Sequence, residues 1–424
     1  MPNIEIPLDL PEVRVLKYEA DRHQIVITVE STRQWAICHK CGQEIRDFHS
    51  YNRQLRLRHL PILGRPVIIE IRPKRFRCPA CDGTPTTTQK LDWYDERSPN
   101  TKAYDQWLLL QTIGSTISDV ARKEGATNDI VLGAIERLVQ VCVNWSEIKN
   151  LGVLGIDEIA LKKGHRDFVA LVTSQQADGQ LKLLGVLPDR KQETVETFLL
   201  SIPENLRATV QAVCTDMWEA YANAARHALP QAKIIADRFH VAKSYRDCAD
   251  KLRIEVQRDL KKSLVKEQYD GLKGTMWLFR RNPQDLDKEE RERLALLFEC
   301  APELKQAYDL RERLTSIFET DHTKESGKAA IRGWIQRVRH SQLTCFDPFL
   351  KTLENWFDEI TNYFVSRQSS GFVEGFNNKV KVLKRRCFGV TNLTHLFQRI
   401  YLDLEGYRLF GLLPTKYRAY HANS

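Results

Sequence analysis

Two Cys-x-x-Cys pairs, Cys38-His-Lys-Cys41 and Cys78-Pro-Ala-Cys81, constrain this chain more than any other feature. Two residues between thiolates let one tight turn present both sulfurs to the same metal ion. Two such turns complete a tetrahedral Cys₄ site of the kind Zn²⁺ takes. Each pair follows a strand-like stretch and is followed closely by a glycine, Gly42 or Gly83, as in a zinc ribbon. The competing reading is two unrelated buried pairs. A closed Cys₄ site keeps no open coordination position, so the role expected of Cys38, Cys41, Cys78 and Cys81 is structural.

The segment around and between the pairs reads as strands. Val13, Val15 and Tyr18 lead through Asp21-Arg22 into Ile25, Ile27 and Val29, a hairpin pattern. Leu55 and Leu57, then Val67, Ile69 and Ile71, read as a second pair. The same segment is basic: Arg46, Arg53, Arg56, Arg58, Arg65, Arg72, Lys74, Arg75 and Arg77 outnumber acids such as Asp47 and Glu70. Such a surface either contacts phosphates or is simply a solvated face. The formal net charge of +9 over 424 residues leans toward a polyanionic partner, most often nucleic acid.

The character of the chain changes four times, which sets expected domains at 1–98, 99–150, 151–240, 241–365 and 366–424. Residues 100–149 carry helical spacing. Within them Ile117-Ser-Asp-Val-Ala-Arg-Lys-Glu-Gly-Ala-Thr-Asn-Asp-Ile-Val fits a helix-turn-helix, with Gly125 in the turn and Thr127 or Asn128 capping the second helix. Arg137 is the clearest DNA-facing donor there, and a plain helical hairpin is the alternative. From Gly152 to His240 three strands in a row are followed by helix, strand, helix and strand, an α/β plan. Residues 241–363 are charged amphipathic helix. After Gly371 a further helix runs through Glu374 to Arg386, and a last one covers Leu393–Tyr407.

Two acids stand at strand ends in the α/β stretch: Asp157 after Val153-Leu-Gly-Ile, and Asp216 after Ala212-Val-Cys-Thr. If their strands are neighbours, both carboxylates can bind Mg²⁺, a hard cation that prefers oxygen. Glu374, in Ser369-Ser-Gly-Phe-Val-Glu-Gly-Phe-Asn-Asn-Lys-Val-Lys, is the candidate third acid. Three acids suit two ions roughly 4 Å apart, clamping the attacking and leaving oxygens of a phosphodiester. Lys381 lies about two turns beyond Glu374 on the same helical face, and Lys379, Lys384 and Arg385 share that helix as phosphate contacts. Each acid also has an ordinary reading, as a turn cap or a first-turn helix acid. Trp218, Tyr221 and Phe239 read as core.

At this point the chain resembles the ISL-three-type insertion-sequence transposases, a group within the DDE transposases. The resemblance rests on the four cysteines, the Ile117–Leu138 helices, Gly155-Ile-Asp-Glu, Cys214-Thr-Asp-Met-Trp, Ala236-Asp-Arg-Phe-His-Val and Gly371-Phe-Val-Glu-Gly-Phe-Asn-Asn. It implies a multidomain α+β chain: a β-rich zinc-ribbon module, a helix-turn-helix, and an RNase H-like α/β catalytic domain interrupted by an all-helical insertion. It implies Asp157, Asp216 and Glu374 as the catalytic triad on two Mg²⁺ ions, with Mn²⁺ as a possible substitute, beside a structural Zn²⁺. The partners it implies are double-stranded DNA, as terminal repeats and target, and a second copy of the chain in a dimer or larger synaptic complex. Asp237 and His240 match the family's Asp-x-x-His stretch, as orienting or phosphate-touching groups or as groups satisfying the sheet edge. Two other readings stay open: a DNA-binding repressor derived from a transposase, and a metal-dependent nuclease that cuts without joining. No apolar run is long enough to span a bilayer, and residues 1–10 lack the pattern of a secretory leader. The chain is therefore expected in the cytoplasm, associated with the nucleoid, with Cys142, Cys214, Cys248, Cys300, Cys345 and Cys387 as free thiols.

Overall fold

The computed structural model of the chain describes residues 8–140, 143–161, 168–176, 179–367, 371–387 and 392–411, with the side chains of Met276, Val373 and Glu374 outside that description. The described residues fall into two compact units, one within 1–141 and 382–424, the other within 142–381. Among them no helix is long and apolar enough to cross a membrane.

The first unit opens with nine strands: β1 (Val13–Ala20), β2 (Ile25–Ser31), β3 (Ala36–Ile37), β4 (Glu44–Ile45), β5 (Asp47–Tyr51), β6 (Leu55–Ile62), β7 (Arg65–Ile71), β8 (Lys74–Arg77) and β9 (Thr86–Thr88). A four-stranded sheet runs β1-β2-β7-β6 and a three-stranded sheet β5-β8-β9, while β3 and β4 pair alone. Both expected hairpins are present, β1 with β2 and β6 with β7, and β2 joins them by a parallel pairing with β7. Ile25, Ile27 and Val29 alternate inward opposite Val67, Ile69 and Ile71, so one face of the sheet is buried.

Three helices follow: α1 (Lys102–Thr112), α2 (Ile117–Glu124) and α3 (Asn128–Leu138). A threonine caps each one, Thr101, Thr116 and Thr127, accepting from the backbone N–H of the third helical residue. Gly125 ends α2 in the left-handed conformation. The α2-turn-α3 arrangement thus follows the sequence closely.

The second unit contains β10 (Gly152–Ala160), β11 (Phe168–Gln175), β12 (Leu181–Leu187), α4 (Gln192–Ser201), α5 (Glu204–Arg207), β13 (Val210–Thr215), α6 (Glu219–Ala228) and β14 (Lys233–Ala236). Its sheet runs β12-β11-β10-β13-β14. The first three strands meander antiparallel, and β13 and β14 lie parallel to β10. Val195 and Leu199 of α4 and Tyr221, Ala222 and Ala225 of α6 are buried in the core with the strands.

Helices then take over: α7 (Arg238–Ser263), α8 (Lys266–Gly271), α9 (Thr275–Leu278), α10 (Lys288–Cys300), α11 (Pro302–Glu319), α12 (Lys324–Ser341), α13 (Asp347–Asn355), α14 (Phe357–Thr361) and α15 (Tyr363–Ser366). Tyr245 stacks on Phe346 with ring centroids 4.8 Å apart, and the Trp334 indole donates to the Leu310 carbonyl at 2.8 Å. This helical body is tied to the sheet edge, where the Asn362 amide donates to the Ile234 carbonyl at 2.8 Å.

Two last helices are α16 (Gly371–Arg386) and α17 (Leu393–Phe410). Residues 366–424 were expected to belong together with the catalytic core. Instead α17 sits in the first unit, where Leu402 packs with Leu109, Ile135 and Val139, and Gln398 donates to the Val139 carbonyl at 2.9 Å.

Candidate functional site

The parallel register explains how three acids come to share one edge. Ile156 of β10 pairs with Thr215 of β13, and Thr215 pairs with Ala236 of β14. The next residue in each strand direction is Asp157, Asp216 or Asp237. Parallel strands in register project equivalent side chains to the same face, so these carboxylates form a row just beyond the ends of β13 and β14 and at the matching position of β10. The Asp237 N–H donates to the Thr215 carbonyl at 2.8 Å, continuing the register. The sequence places Asp157 at the end of its strand; β10 in fact continues to Ala160, paired there only with β11. It is β13 that stops, which leaves Asp157 unflanked on that side.

Each member of the row is held differently. Asp157 accepts from the Glu158 N–H at 2.6 Å and from the Asn377 side-chain amide of α16. Asp237 caps α7, accepting from the Phe239 N–H at 2.8 Å, with His240 Nε2 3.8 Å away. Asp216, among the described residues, accepts only from the Thr215 hydroxyl, at 3.4 Å. Burial, and after it the charge of Asp157, pushes the Asp216 carboxyl up to about 6. Burial raises Asp157 too, against the pull of the Glu158 N–H and His240. Two half-buried like charges with so little compensation call for a cation.

The remaining donors nearby suit an oxygen-seeking ion. The Asn377 carbonyl oxygen and the Tyr221 hydroxyl are buried without a partner among the described residues, and Tyr221 feels the charges of Glu158, Asp216 and Asp157. Mg²⁺ takes carboxylate, carbonyl and water oxygens, so these groups fit it. The backbone of Glu374 is helical, one turn before Asn377 on α16; its side chain lies outside the described residues. Sequence reasoning quoted Asn377 but gave it no role. The signal available was its spacing, three residues beyond the third acid and so on one helical face. On the other flank Glu158 pairs with Arg190 at 3.1 Å, and that guanidinium lies 4.6 Å from the Phe168 ring and 4.7 Å from the Trp218 ring.

The cysteines form a second, closed cluster. Their four sulfurs lie within 4.8 Å of one another, the one such group of three or more metal-ligating side chains among the described residues. Cys38 and Cys81 are 4.0 Å apart and Cys41 and Cys78 3.7 Å, close to the edge of a tetrahedron with Zn–S bonds of about 2.3 Å. Gly42 and Gly83 close the two knuckles at φ of 72° and 74°, a region that a side chain would strain. The backbone N–H groups of Cys41 and Lys40 pull the Cys38 thiol down to about 6. Crowding, first by Cys41, pushes Cys81 up to about 12, because four thiolates cannot coexist without a metal.

The basic residues divide. Arg53 and Arg77 are exposed, and Arg56 is exposed with Glu70 at 3.3 Å. Arg58 turns inward, its guanidinium 5.3 Å from the Tyr104 ring and donating to the Glu124 carbonyl at 3.3 Å. Arg75 is half-buried and donates to the Thr86 hydroxyl at 2.5 Å. Arg137 makes two 2.9 Å bonds to the buried Asp105 carboxylate, so it joins α3 to α1 and is not placed to read bases. The outer face of α3 presents Asn128, Asp129 and Glu136. On α16, Lys379, Lys381 and Arg385 are exposed, while Lys384 is half-buried and its ammonium is depressed by burial.

Comparison with known proteins gives the class first: a family model for the zinc-finger of the transposases IS204/IS1001/IS1096/IS1165 matches residues 34–81, a span that ends on Cys81 and includes all four cysteines. A second model, the ISL3 type described as "Transposase", matches residues 154–400, over half of the chain and the whole carboxylate row. The chain belongs to the ISL3 transposase family. It is 26% identical over 381 residues to the transposase for insertion sequence element IS1001 of Bordetella parapertussis, covering 90% of this chain and 91% of that protein. It is 24% identical over 405 residues to the transposase for IS1557 of Mycobacterium tuberculosis (strain CDC 1551 / Oshkosh), covering 88% and 87%. The cysteine cluster is accordingly the structural zinc site of a zinc ribbon.

Proposed function

We propose that this transposase cuts DNA at the ends of its element and joins them to a target with Asp157, Asp216 and Glu374 as the catalytic triad. The observation that carries the reading is the row of Asp157 and Asp216 in register on neighbouring parallel strands, where β13 ends, with α16 fastened to it through Asn377. The 3-2-1-4-5 strand order, antiparallel then parallel, supports an RNase H-like core, and the helices from α7 to α15 correspond to the expected insertion.

Two Mg²⁺ ions held there would polarise the scissile phosphate and activate first water, then the freed 3′-hydroxyl, for in-line attack. The protein's own part is to hold and to balance charge. Asn377 and the Glu158 N–H fix the Asp157 carboxylate, Asp216 would add a second carboxylate beside it, and Glu374 would supply the third from α16. DNA ends are gripped by the zinc ribbon and the α2-turn-α3 pair, with Arg53, Arg56 and Arg77 as phosphate contacts there and Lys379 and Lys381 along α16. Arg58, Arg75 and Arg137 contribute by holding their module together. Joining two ends needs two active sites, hence a dimer or larger synaptic complex.

The test is a strand-transfer assay with Mg²⁺, a labelled oligonucleotide carrying the element's end, and a supercoiled target plasmid, comparing wild type with Glu374→Gln. Joined product from wild type alone is expected. Joining by both removes Glu374 from the site, and DNA binding with no cleavage by either favours a repressor.

A further inference from the structure

The exposed aromatics around the carboxylate row are not where a folding core needs them. Trp218 and Phe239, expected in the core, are each 40% exposed, and each stands two residues beyond an acid of the row, Asp216 and Asp237 respectively. Trp218 lies on the β11 side, where Arg190 covers its ring and is locked by Glu158. Phe239 lies on the opposite side, with the His240 ring edge-on to it at 5.6 Å between centroids. Arg246 sits 5.4 Å from its ring, and among the described residues this guanidinium has no carboxylate partner.

Phe239 and Arg246 open onto a cavity of about 410 Å³, walled by Leu314, Thr315 and Phe318 of α11 and bordered by Asp237. This is within the size range of pockets for small planar ligands. Its charged lining is four arginines against the single acid Asp237. Of the four, Arg238, Arg280 and Arg311 already face Glu319, Asp250 and Glu312. A partly apolar wall, a 40% exposed ring and a guanidinium with no carboxylate partner among the described residues, beside the proposed phosphoryl-transfer site, are parts that can hold a nucleobase and its phosphate.

We infer that this cavity takes an unpaired nucleotide of the DNA strand being cut, its base against Phe239 and its phosphate on Arg246. The inference rests on the DNA-cutting reading above. It adds that the duplex must open next to the scissile phosphate, and that Phe239 holds the displaced base outside the helix. The unpaired base gains a stacking surface that the paired base cannot reach.

The experiment is fluorescence anisotropy with the full chain and Ca²⁺ in place of Mg²⁺, so that binding is read without chemistry. The probes are two fluorescein-labelled duplexes carrying the element's end, one fully paired and one with three mismatched nucleotides at the cleavage junction. Wild type should bind the mismatched duplex more tightly by between about five- and a hundredfold, the range for stacking one base on an aromatic ring. Phe239→Ala should bind both alike, at the wild-type affinity for the paired duplex. Phe239→Trp should keep the preference, and Arg246→Gln should reduce it. No preference in wild type overturns the inference, as does an undiminished preference in Phe239→Ala. If wild type retains neither duplex, the DNA-cutting reading falls as well, an outcome distinct from equal binding of both.

Discussion

The cysteine cluster and the carboxylate row are both crowds of like-charged groups, held in opposite ways. The sulfurs come from two tight turns, and backbone N–H groups within the same turns steady Cys38. The carboxylates come from separate strands, and the group that steadies Asp157 arrives on a helix 220 residues along the chain. The sulfur site is closed on all sides by its four ligands. The acid row opens toward Phe239, Trp218 and solvent. A metal that only has to stabilise a fold can be caged locally; one that has to meet a substrate needs ligands from several elements and an open face.

The sharpest way to break this comparison is at Cys78, which is fully buried. Cys78→Ser should lose the bound zinc and, with it, on the order of several kcal/mol of folding energy. Metal analysis should fall from one zinc per chain toward zero. Limited proteolysis should then cut within residues 34–88 while the α/β sheet resists. A variant that keeps its zinc would show the cluster to be less closed than its geometry.

Next come the acids themselves. Asp157→Asn or Asp216→Asn should lower strand transfer by roughly 10²–10³-fold or more while leaving affinity for the element's end nearly unchanged. An equal loss of DNA affinity would make the row a structural feature, like the cysteines.

A smaller effect is expected at Asn377. Asn377→Ala removes the amide that orients Asp157, and supporting groups of this kind are worth about 10–100-fold in activity or metal affinity. The Mg²⁺ concentration for half-maximal activity should rise. A change in maximal rate with no change in Mg²⁺ dependence would detach Asn377 from the metal.

The smallest effect concerns pH. The Asp216 carboxyl sits near 6 when folded against an ordinary 3.8, so the folded state binds more protons than the unfolded one between those values. Stability without added magnesium therefore falls as pH rises through that window and stays low above it. Asp216→Asn should reduce this slope, leaving the part due to Asp157, and raise the melting temperature at pH 7, by roughly 2–4 °C per kcal/mol relieved. Calorimetry that finds the same slope in both proteins would assign the titration elsewhere.

The two sites also differ in how far the sequence discloses them. Cys38-x-x-Cys41 and Cys78-x-x-Cys81 announce their geometry because the spacing within each turn is the geometry. Asp157 and Asp216 are legible as acids at the close of apolar runs, but their adjacency depends on the β10–β13 register, which no local pattern encodes. Asp237 joins the row for the same reason. The arginines mislead most: Arg58 and Arg137 look like phosphate contacts in sequence, and only the folded neighbours Tyr104, Glu124 and Asp105 show them turned inward. Trp218 and Phe239 err the other way, because an aromatic residue next to a strand end gives no sign of which side of the surface it occupies. The destination of α17 is equally hidden, since an apolar helical face does not say which other face it covers.

The single amide joining Asn377 to Asp157 has a consequence for the newly made chain. At 5–20 residues per second, a ribosome reaches Asn377 on the order of ten to thirty seconds after Asp216. Throughout that interval the emerging protein holds the strand acids Asp157 and Asp216 without the amide of α16 that fixes Asp157, however well its sheet has formed. On the proposed reading, strand cutting would therefore await α16, and a product truncated before Asn377 would lack it.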